Sequence, residues 1–148
     1  MPRIKLTEQP CYEFHHKLSV RVTDLNYGVH LGNDALVSLI HEARVHLFRA
    51  LGCSEINLGD DKTGLIMGDL VVNFVQEGFL FDEIVIDSHV GAVSRHGFRI
   101  FHRMTKAGQL FALAETGLIA FDYKARRVSP LPEEFLAAVR AYQREVVA

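Results

Sequence analysis

Residues 33–51 carry their apolar side chains at a helical spacing. At about 100° per residue, one broad face collects the apolar positions and the opposite face collects polar ones. The apolar face consists of Leu36, Leu39, Ile40, Ala43, Leu47, Ala50 and Leu51. The width of this face predicts a helix that the rest of the protein surrounds. Asn33 or Asp34 is expected to cap its start, and Gly52 to end it in a left-handed conformation.

Arg44 is the exception to this pattern, because it lies inside the apolar face of the predicted helix. Two interpretations remain open from the sequence. Its aliphatic stem could lie along the core while the guanidinium group reaches water. Alternatively, the guanidinium group could be buried in an ion pair.

The remainder of the chain alternates in a way that is typical of strands. Strands are predicted at residues 12–22, 65–77, 82–95, 97–107 and 109–123, and a closing helix at 132–146. The "RHG" and "KAG" segments predict tight turns, so the last three strands should form an antiparallel meander. The expected fold is α+β: one domain over residues 1–148, with a five-stranded antiparallel sheet around a long central helix and a C-terminal helix.

Composition narrows the class of protein. The 148 residues are 49% hydrophobic and 23% charged, with a formal net charge of -2, which fits one globular domain and argues against nucleic acid or an anionic membrane as partner. The first ten residues are too polar for a signal peptide, and no apolar run reaches the roughly 18 residues of a membrane span. We therefore expect a cytoplasmic protein in which Cys11 and Cys53 are reduced.

Metal and nucleotide motifs are not apparent. His41 and His46 are five residues apart on the predicted helix, so they diverge, whereas a zinc helix places histidines four apart. His15 and His16 are adjacent on a predicted strand and point to opposite faces. The sequence has no P-loop, no GxGxxG and no GxSxG. No metal and no separate cofactor are expected.

The segment "VRVTDLNYGVHLGNDALVSLIHEAR", residues 20–44, leads from a polar, glycine-containing loop into the apolar helix. Together with the order of elements, it resembles the hotdog-fold acyl-CoA thioesterases, and most closely the 4-hydroxybenzoyl-CoA thioesterase-like branch. That branch reads V-R, then D-x-D-x-x-G-H-V-N-N, then E-A-R. The matching positions here are Val20, Arg21, Asp24, His30, Asn33, Glu42, Ala43 and Arg44.

The segment also departs from the family pattern. Asn26 stands where the family has its usual catalytic aspartate, and an amide cannot act as a base or nucleophile at neutral pH. The family's G-H corresponds to a shifted Gly28-Val29-His30, and its N-N corresponds to Gly32-Asn33.

The resemblance implies a homodimer or homotetramer in which two sheets pair side by side and the active site lies between subunits. The loop and the helix N-terminus would face the thioester. Unpaired backbone N–H groups near Asn33 would then bind the oxyanion. Coenzyme A would enter as part of the substrate and not as a cofactor.

His30 is the leading candidate for general base, because its ordinary pKa lies near working pH. Asn26 would orient water or the thioester, although asparagine also favours turns. Asp24 and Glu77 are alternative carboxylates. A carboxylate beside a loop most often fixes the loop, which is the alternative for Asp24, and Glu77, at a strand end, could reach across a dimer. Glu42 lies on the polar side of the helix and is more typical of a surface ion pair.

Several arginines could bind the phosphates of coenzyme A, because guanidinium groups bind phosphate well. They could also be solvated strand positions. The candidates are Arg95, Arg99, Arg103, Arg126 and Arg127, with Lys124 beside the last two.

The sequence therefore predicts a thioesterase that cleaves an acyl-CoA or acyl-carrier-protein thioester. Two alternatives stay open. One is a non-catalytic hotdog protein that binds acyl thioesters, which Asn26 favours. The other is a hotdog dehydratase acting on acyl thioesters, although its usual Asp/His pattern is not evident.

Overall fold

The computed structural model describes residues 3–147. A short 3-10 turn, Val22–Asp24, precedes the first helix. The helices are α1 (Asn33–Ala50) and α2 (Glu133–Val147). The strands are β1 (Phe14–Ser19), β2 (Thr63–Phe74), β3 (Glu83–Gly91), β4 (Gly97–Lys106), β5 (Gln109–Asp122) and β6 (Arg127–Val128).

The strands form one antiparallel sheet in the order β1-β3-β4-β5-β2, and β6 pairs with β5. The five strands that the sequence predicts are all present, and the last three form the expected meander. The prediction of a five-stranded sheet was one strand short. The chain turns back after β5, and a two-residue strand is too short to show a periodic pattern.

Burial along β4 shows how the sheet meets the helix. Phe98, Ile100, His102 and Met104 are buried on the face toward the core, while the residues between them are partly exposed. Because α1 contributes seven buried residues to the same core, the helix packs against this inner face of the sheet.

The core consists of two apolar clusters. One surrounds the C-terminal half of α1 and includes Phe48 and Phe135, so α2 closes it. The other surrounds the N-terminal half of α1 and includes Leu36, Ile40 and Met104. The end of α1 that faces the polar loop is therefore held by its own apolar cluster.

A set of buried polar side chains, which we call the polar layer, lies among these apolar residues. Arg44 is almost fully buried, and its Nε donates to Glu55 Oε1 at 2.8 Å. Of the two interpretations of Arg44, the structure supports the buried ion pair. On the sheet, the His102 ring lies between Ser88 Oγ, 2.8 Å from Nδ1, and Thr116 Oγ1, 3.4 Å from Nε2.

The ends of α1 differ in part from the prediction. Gly52 has a φ of 78°, so the left-handed conformation after the helix is confirmed. The expected capping by Asn33 or Asp34 was wrong: Gly32 is the N-cap, and no side chain caps the helix. A Cβ on Gly32 would lie 2.5 Å from Asp34 Oδ1, so the close approach of the loop favours glycine at this position. Neither helix in the described part of the chain could span a membrane.

Candidate active site

The loop before α1 is a small hairpin. Leu25 and Leu31 form an isolated antiparallel bridge, and Asn26 N donates to His30 O at 2.9 Å. Inside this closure, Val29 N donates to Asn26 O at 3.0 Å, and Val29 adopts a positive φ of 65°. This is the geometry of a turn followed by one left-handed residue, in which glycine is usual. Val29 thus occupies a left-handed turn position that glycine usually takes.

Asn26 and His30 lie side by side at this hairpin. Gly28 N donates to Asn26 Oδ1 at 2.9 Å, which leaves the Asn26 amide nitrogen as a donor. A Cβ on Gly28 would lie 3.1 Å from His30 Nε2 and 3.2 Å from Asn26 Oδ1. The absence of a side chain at Gly28 therefore lets the amide and the imidazole approach each other.

The hydrogen bond of His30 fixes which ring nitrogen is available. His30 Nδ1 lies 3.2 Å from the Leu31 carbonyl oxygen. A carbonyl only accepts, so Nδ1 carries the proton in the neutral ring. Nε2 is then unprotonated and can accept a proton from a water molecule.

The N-terminus of α1 adds hydrogen-bond donors beside this pair. The first backbone bond of the helix runs from Leu36 N to Gly32 O. The N–H groups of Asn33, Asp34 and Ala35 therefore precede the helical bonding pattern, and the helix dipole makes this end positive. Such an end can stabilise a developing oxyanion.

A cavity of about 290 Å³ joins these groups to the end of β2. The hairpin and α1 contribute Asn26, His30, Leu31 and Asn33, and the end of β2 and the following residues contribute Phe74, Gln76 and Glu77. Leu31 N donates to Gly78 O at 2.7 Å, which ties the two walls together. The structure thus brings four of the predicted site residues into one cavity: Asn26, His30, Asn33 and Glu77.

Gln76 is a cavity residue that the sequence analysis missed. Its Nε2 donates to the Leu110 carbonyl at 2.6 Å, so its Oε1 is left as an acceptor. The residue follows β2, and only the folded chain places the end of β2 opposite the hairpin. No local motif would have identified it.

Asp24 does not line the cavity; instead it fixes the hairpin. Its carboxylate accepts hydrogen bonds from Arg21 N at 2.8 Å and from the Arg21 guanidinium group, and its carbonyl accepts from Gly32 N at 3.0 Å. Burial alone would raise the pKa of Asp24, but the hydrogen bonds from Arg21 outweigh it and the pKa is lowered. Glu42 is also outside the cavity, with Oε2 3.7 Å from His16 Nε2 on β1.

The arginines proposed for coenzyme A lie elsewhere. Arg99 pairs with Asp69 and Glu115 on the outer face of the sheet, where it lines an open trough of about 500 Å³. Arg103 pairs with Asp87 at 2.9 Å and stacks over Tyr12. Arg95 and Arg126 lie in exposed turns, and Arg127 is exposed in β6. The described residues that line the 290 Å³ cavity include none of the five.

Several known proteins are similar to this chain. A 1,4-dihydroxy-2-naphthoyl-CoA hydrolase from Synechococcus elongatus is 26% identical over 124 residues, which are 82% of this chain and 90% of that protein. A 1,4-dihydroxy-2-naphthoyl-CoA thioesterase from Synechocystis superposes with a TM-score of 0.77 at 19% identity, covering 86% of this chain and 95% of the other. A Thermus thermophilus thioesterase solved with coenzyme A and zinc gives a TM-score of 0.78 at 22% identity, covering 92% and 98%.

These similarities confirm the resemblance that the loop and helix indicated. The two superpositions cover most of both structures and show that the antiparallel sheet and α1 form a hotdog thioesterase fold. The model of the thioesterase-like superfamily matches residues 20–139, a range that includes the hairpin, α1 and the sheet from β2 onward. The chain therefore belongs to the thioesterase-like superfamily.

Proposed function

We propose that this protein is a thioester hydrolase that cleaves an acyl-CoA to a free acid and coenzyme A. The observation that carries the proposal is the cavity in which an imidazole with a free Nε2 lies beside an uncapped helix N-terminus. This pairing provides a general base next to an oxyanion site. The names of the relatives support coenzyme A as the thiol component.

The chemistry assigned to the chain's own residues is as follows. His30 Nε2 removes a proton from water as the water oxygen attacks the thioester carbonyl. Negative charge moves to the carbonyl oxygen of the thioester. This oxygen accepts hydrogen bonds from the first backbone N–H groups of α1 and from the side-chain nitrogen of Asn26. The carbonyl re-forms as the carbon–sulfur bond breaks, and the protonated His30 returns its proton to the departing thiolate.

Glu77 and Gln76 complete the polar wall opposite His30. Glu77 supplies the carboxylate among the residues that line the cavity. Gln76 Oε1 offers an acceptor for the attacking water. In this assignment Asn26 acts as a donor to the substrate and does not replace the family's aspartate as a base.

A homodimer is part of the proposal. β2 is the last strand in the sheet order, so its outer edge offers backbone groups for pairing. Exposed apolar side chains accompany this edge and its end, namely Met67, Phe74 and Val75. Pairing of two β2 edges would bury them and bring a second subunit beside Phe74, which lines the cavity. Sedimentation at micromolar concentration tests the assignment and separates a dimer from a tetramer; a monomer would contradict it.

The activity is tested by measuring thiol release from a panel of aryl and alkyl acyl-CoAs, with the matching acyl-carrier-protein thioesters beside them. We expect turnover on at least one coenzyme A thioester. The second candidate function, a non-catalytic thioester-binding protein, is favoured by Asn26 at the usual aspartate position. It predicts measurable binding with no thiol release on any member of the panel.

A further inference from the structure

Val29 has a backbone conformation that valine rarely adopts. Its φ of 65° lies in the left-handed region, where Cβ approaches the neighbouring carbonyl. Among the non-glycine residues with positive φ, Val29 is the β-branched one, and a branched side chain makes this region a true outlier. The hairpin requires a left-handed residue here, and glycine would adopt it without strain.

The rest of the chain does not offset this strain by packing. Val29 is 68% exposed, so the described residues bury only a minor part of it. The hydrogen bond from Val29 N to Asn26 O uses backbone atoms and would be equally available to glycine. Strained backbone conformations of this kind cluster at active sites and at residues that hold ligands.

The position of Val29 in the hairpin indicates which ligand its side chain would contact. It is bonded directly to Gly28, beside which the Asn26 and His30 side chains converge, and to His30 itself. Both of those side chains line the candidate cavity, and the exposed Phe74 lines its opposite wall. Val29 itself is not among the lining residues, so its exposed isopropyl group lies outside the cavity wall, one residue before His30.

We propose that Val29 is a specificity-determining residue whose isopropyl group packs against an apolar part of the bound thioester. This inference rests on the proposed thioesterase function. The apolar part has two possible sources, the acyl group or the pantetheine arm, which flank the same carbonyl. Binding of either one would bury the methyl groups that are exposed in the free protein.

The test uses two substitutions at this position and one control. Val29→Ala removes both methyl groups but keeps a side chain with the same backbone constraint. Val29→Gly removes the methyl groups and also the strain. Ala107→Gly is the matched control, because Ala107 has a φ of 51° in the exposed turn between β4 and β5. The control reports the gain in melting temperature from relieving a left-handed residue outside the hairpin.

We expect Val29→Ala to lower kcat/KM by between about fourfold and fifteenfold, the equivalent of one to two buried methyl groups, mainly through KM. Val29→Gly should show a loss of kcat/KM at least as large together with a higher melting temperature. Ala107→Gly should raise the melting temperature and leave kcat/KM unchanged. A residue that only shapes the hairpin would alter stability or kcat without this rise in KM.

Two substrate series locate the contact. If Val29 meets the acyl group, the loss grows with acyl size at constant coenzyme A. If it meets the pantetheine arm, the loss is the same for every acyl-CoA and disappears with N-acetylcysteamine thioesters. The proposal is overturned if Val29→Ala leaves kcat/KM unchanged in both series, or if its loss follows a weakened subunit association. A wild type without turnover contradicts the proposed function instead, and calorimetric binding of an acyl-CoA to wild type and Val29→Ala then decides the contact.

Discussion

Acidification should destabilise this protein through His102, a fully buried residue of the polar layer. The ring is 1% exposed and lies between the hydroxyl groups of Ser88 and Thr116, which can donate or accept as a neutral imidazole requires. Burial, together with a smaller effect of the nearby Arg44 charge, lowers the pKa of His102 to about 3. In the unfolded chain the same group titrates near its ordinary value of about 6.5.

The direction in which pH changes the free energy of unfolding follows from the folded and unfolded pKa values of His102. Below about pH 6.5 the unfolded chain binds a proton that the folded chain does not, so the free energy of unfolding falls as pH falls. Each pH unit removes about 1.4 kcal/mol until the pH approaches the folded pKa of about 3. Between neutral pH and about pH 4.5, two pH units below the unfolded pKa, His102 should thus contribute a loss of roughly 3 kcal/mol.

Urea unfolding at one fixed protein concentration can measure this contribution. His102→Gln keeps a side chain that can donate and accept but does not titrate, so the difference in unfolding free energy between wild type and variant should shift by roughly 3 kcal/mol from neutral pH to about pH 4.5. His96→Gln removes an exposed histidine in the turn between β3 and β4 and serves as the control. A wild-type-to-His102→Gln difference that stays constant with pH would refute the reasoning.

Three further predictions concern catalysis and substrate binding. His30→Ala should lower kcat by roughly 10²–10⁴-fold with little change in KM, because a general base acts mainly in the transition state. Steady-state thiol release measures both constants. An enzyme whose kcat does not change with this substitution would exclude His30 as the base. Asn26→Asp keeps the oxygen that accepts from Gly28 N but replaces the donor nitrogen with a carboxylate oxygen. It should therefore lower kcat in the wild-type background. Because the carboxylate can act as a base, it should also make the loss of His30 less severe, which the double variant measures. Arg95 and Arg126 lie outside the 290 Å³ cavity, so they test whether the phosphates of coenzyme A contact exposed turns beyond it. If they do, Arg95→Ala and Arg126→Ala should each weaken coenzyme A binding in calorimetry and reduce its salt dependence, whereas Arg49→Ala on the exposed side of α1 should not. Equal affinity in all three would remove these arginines from the substrate site.

Much of the fold could be predicted because its elements are long and periodic. The 3.6-residue period of α1 and the alternation in the long strands depend only on neighbouring positions, so the sequence shows them directly. Arg44 marks the limit of this reasoning. Its partner Glu55 lies in the loop after α1, and a helical projection of α1 alone does not include it. The sequence could therefore state two alternatives for Arg44 without deciding between them.

The candidate site was predictable where it is local. Asn26, His30 and Asn33 belong to one loop and the helix start, and their proximity follows from the chain itself. Gln76 depends on where β2 ends relative to that loop, which is a property of the folded sheet. The N-cap was misassigned because residue preferences favour Asn33, whereas the close approach of the loop favours Gly32.

The Arg44–Glu55 ion pair of the polar layer adds a polar restraint on the axial position of α1 to the packing of its apolar face. A shift of the helix by one turn, about 5.4 Å, would move the Arg44 guanidinium group away from Glu55 and into apolar surroundings. Arg44 lies eleven residues after Asn33, so the two residues are about 16 Å apart along the axis of α1. Because α1 is rigid, the Arg44–Glu55 ion pair thereby restrains how far the first backbone N–H groups of α1 extend into the cavity. Substitutions at Arg44 or Glu55 should then alter how the thioester carbonyl oxygen aligns with the N-terminus of α1, even though neither side chain lines the cavity.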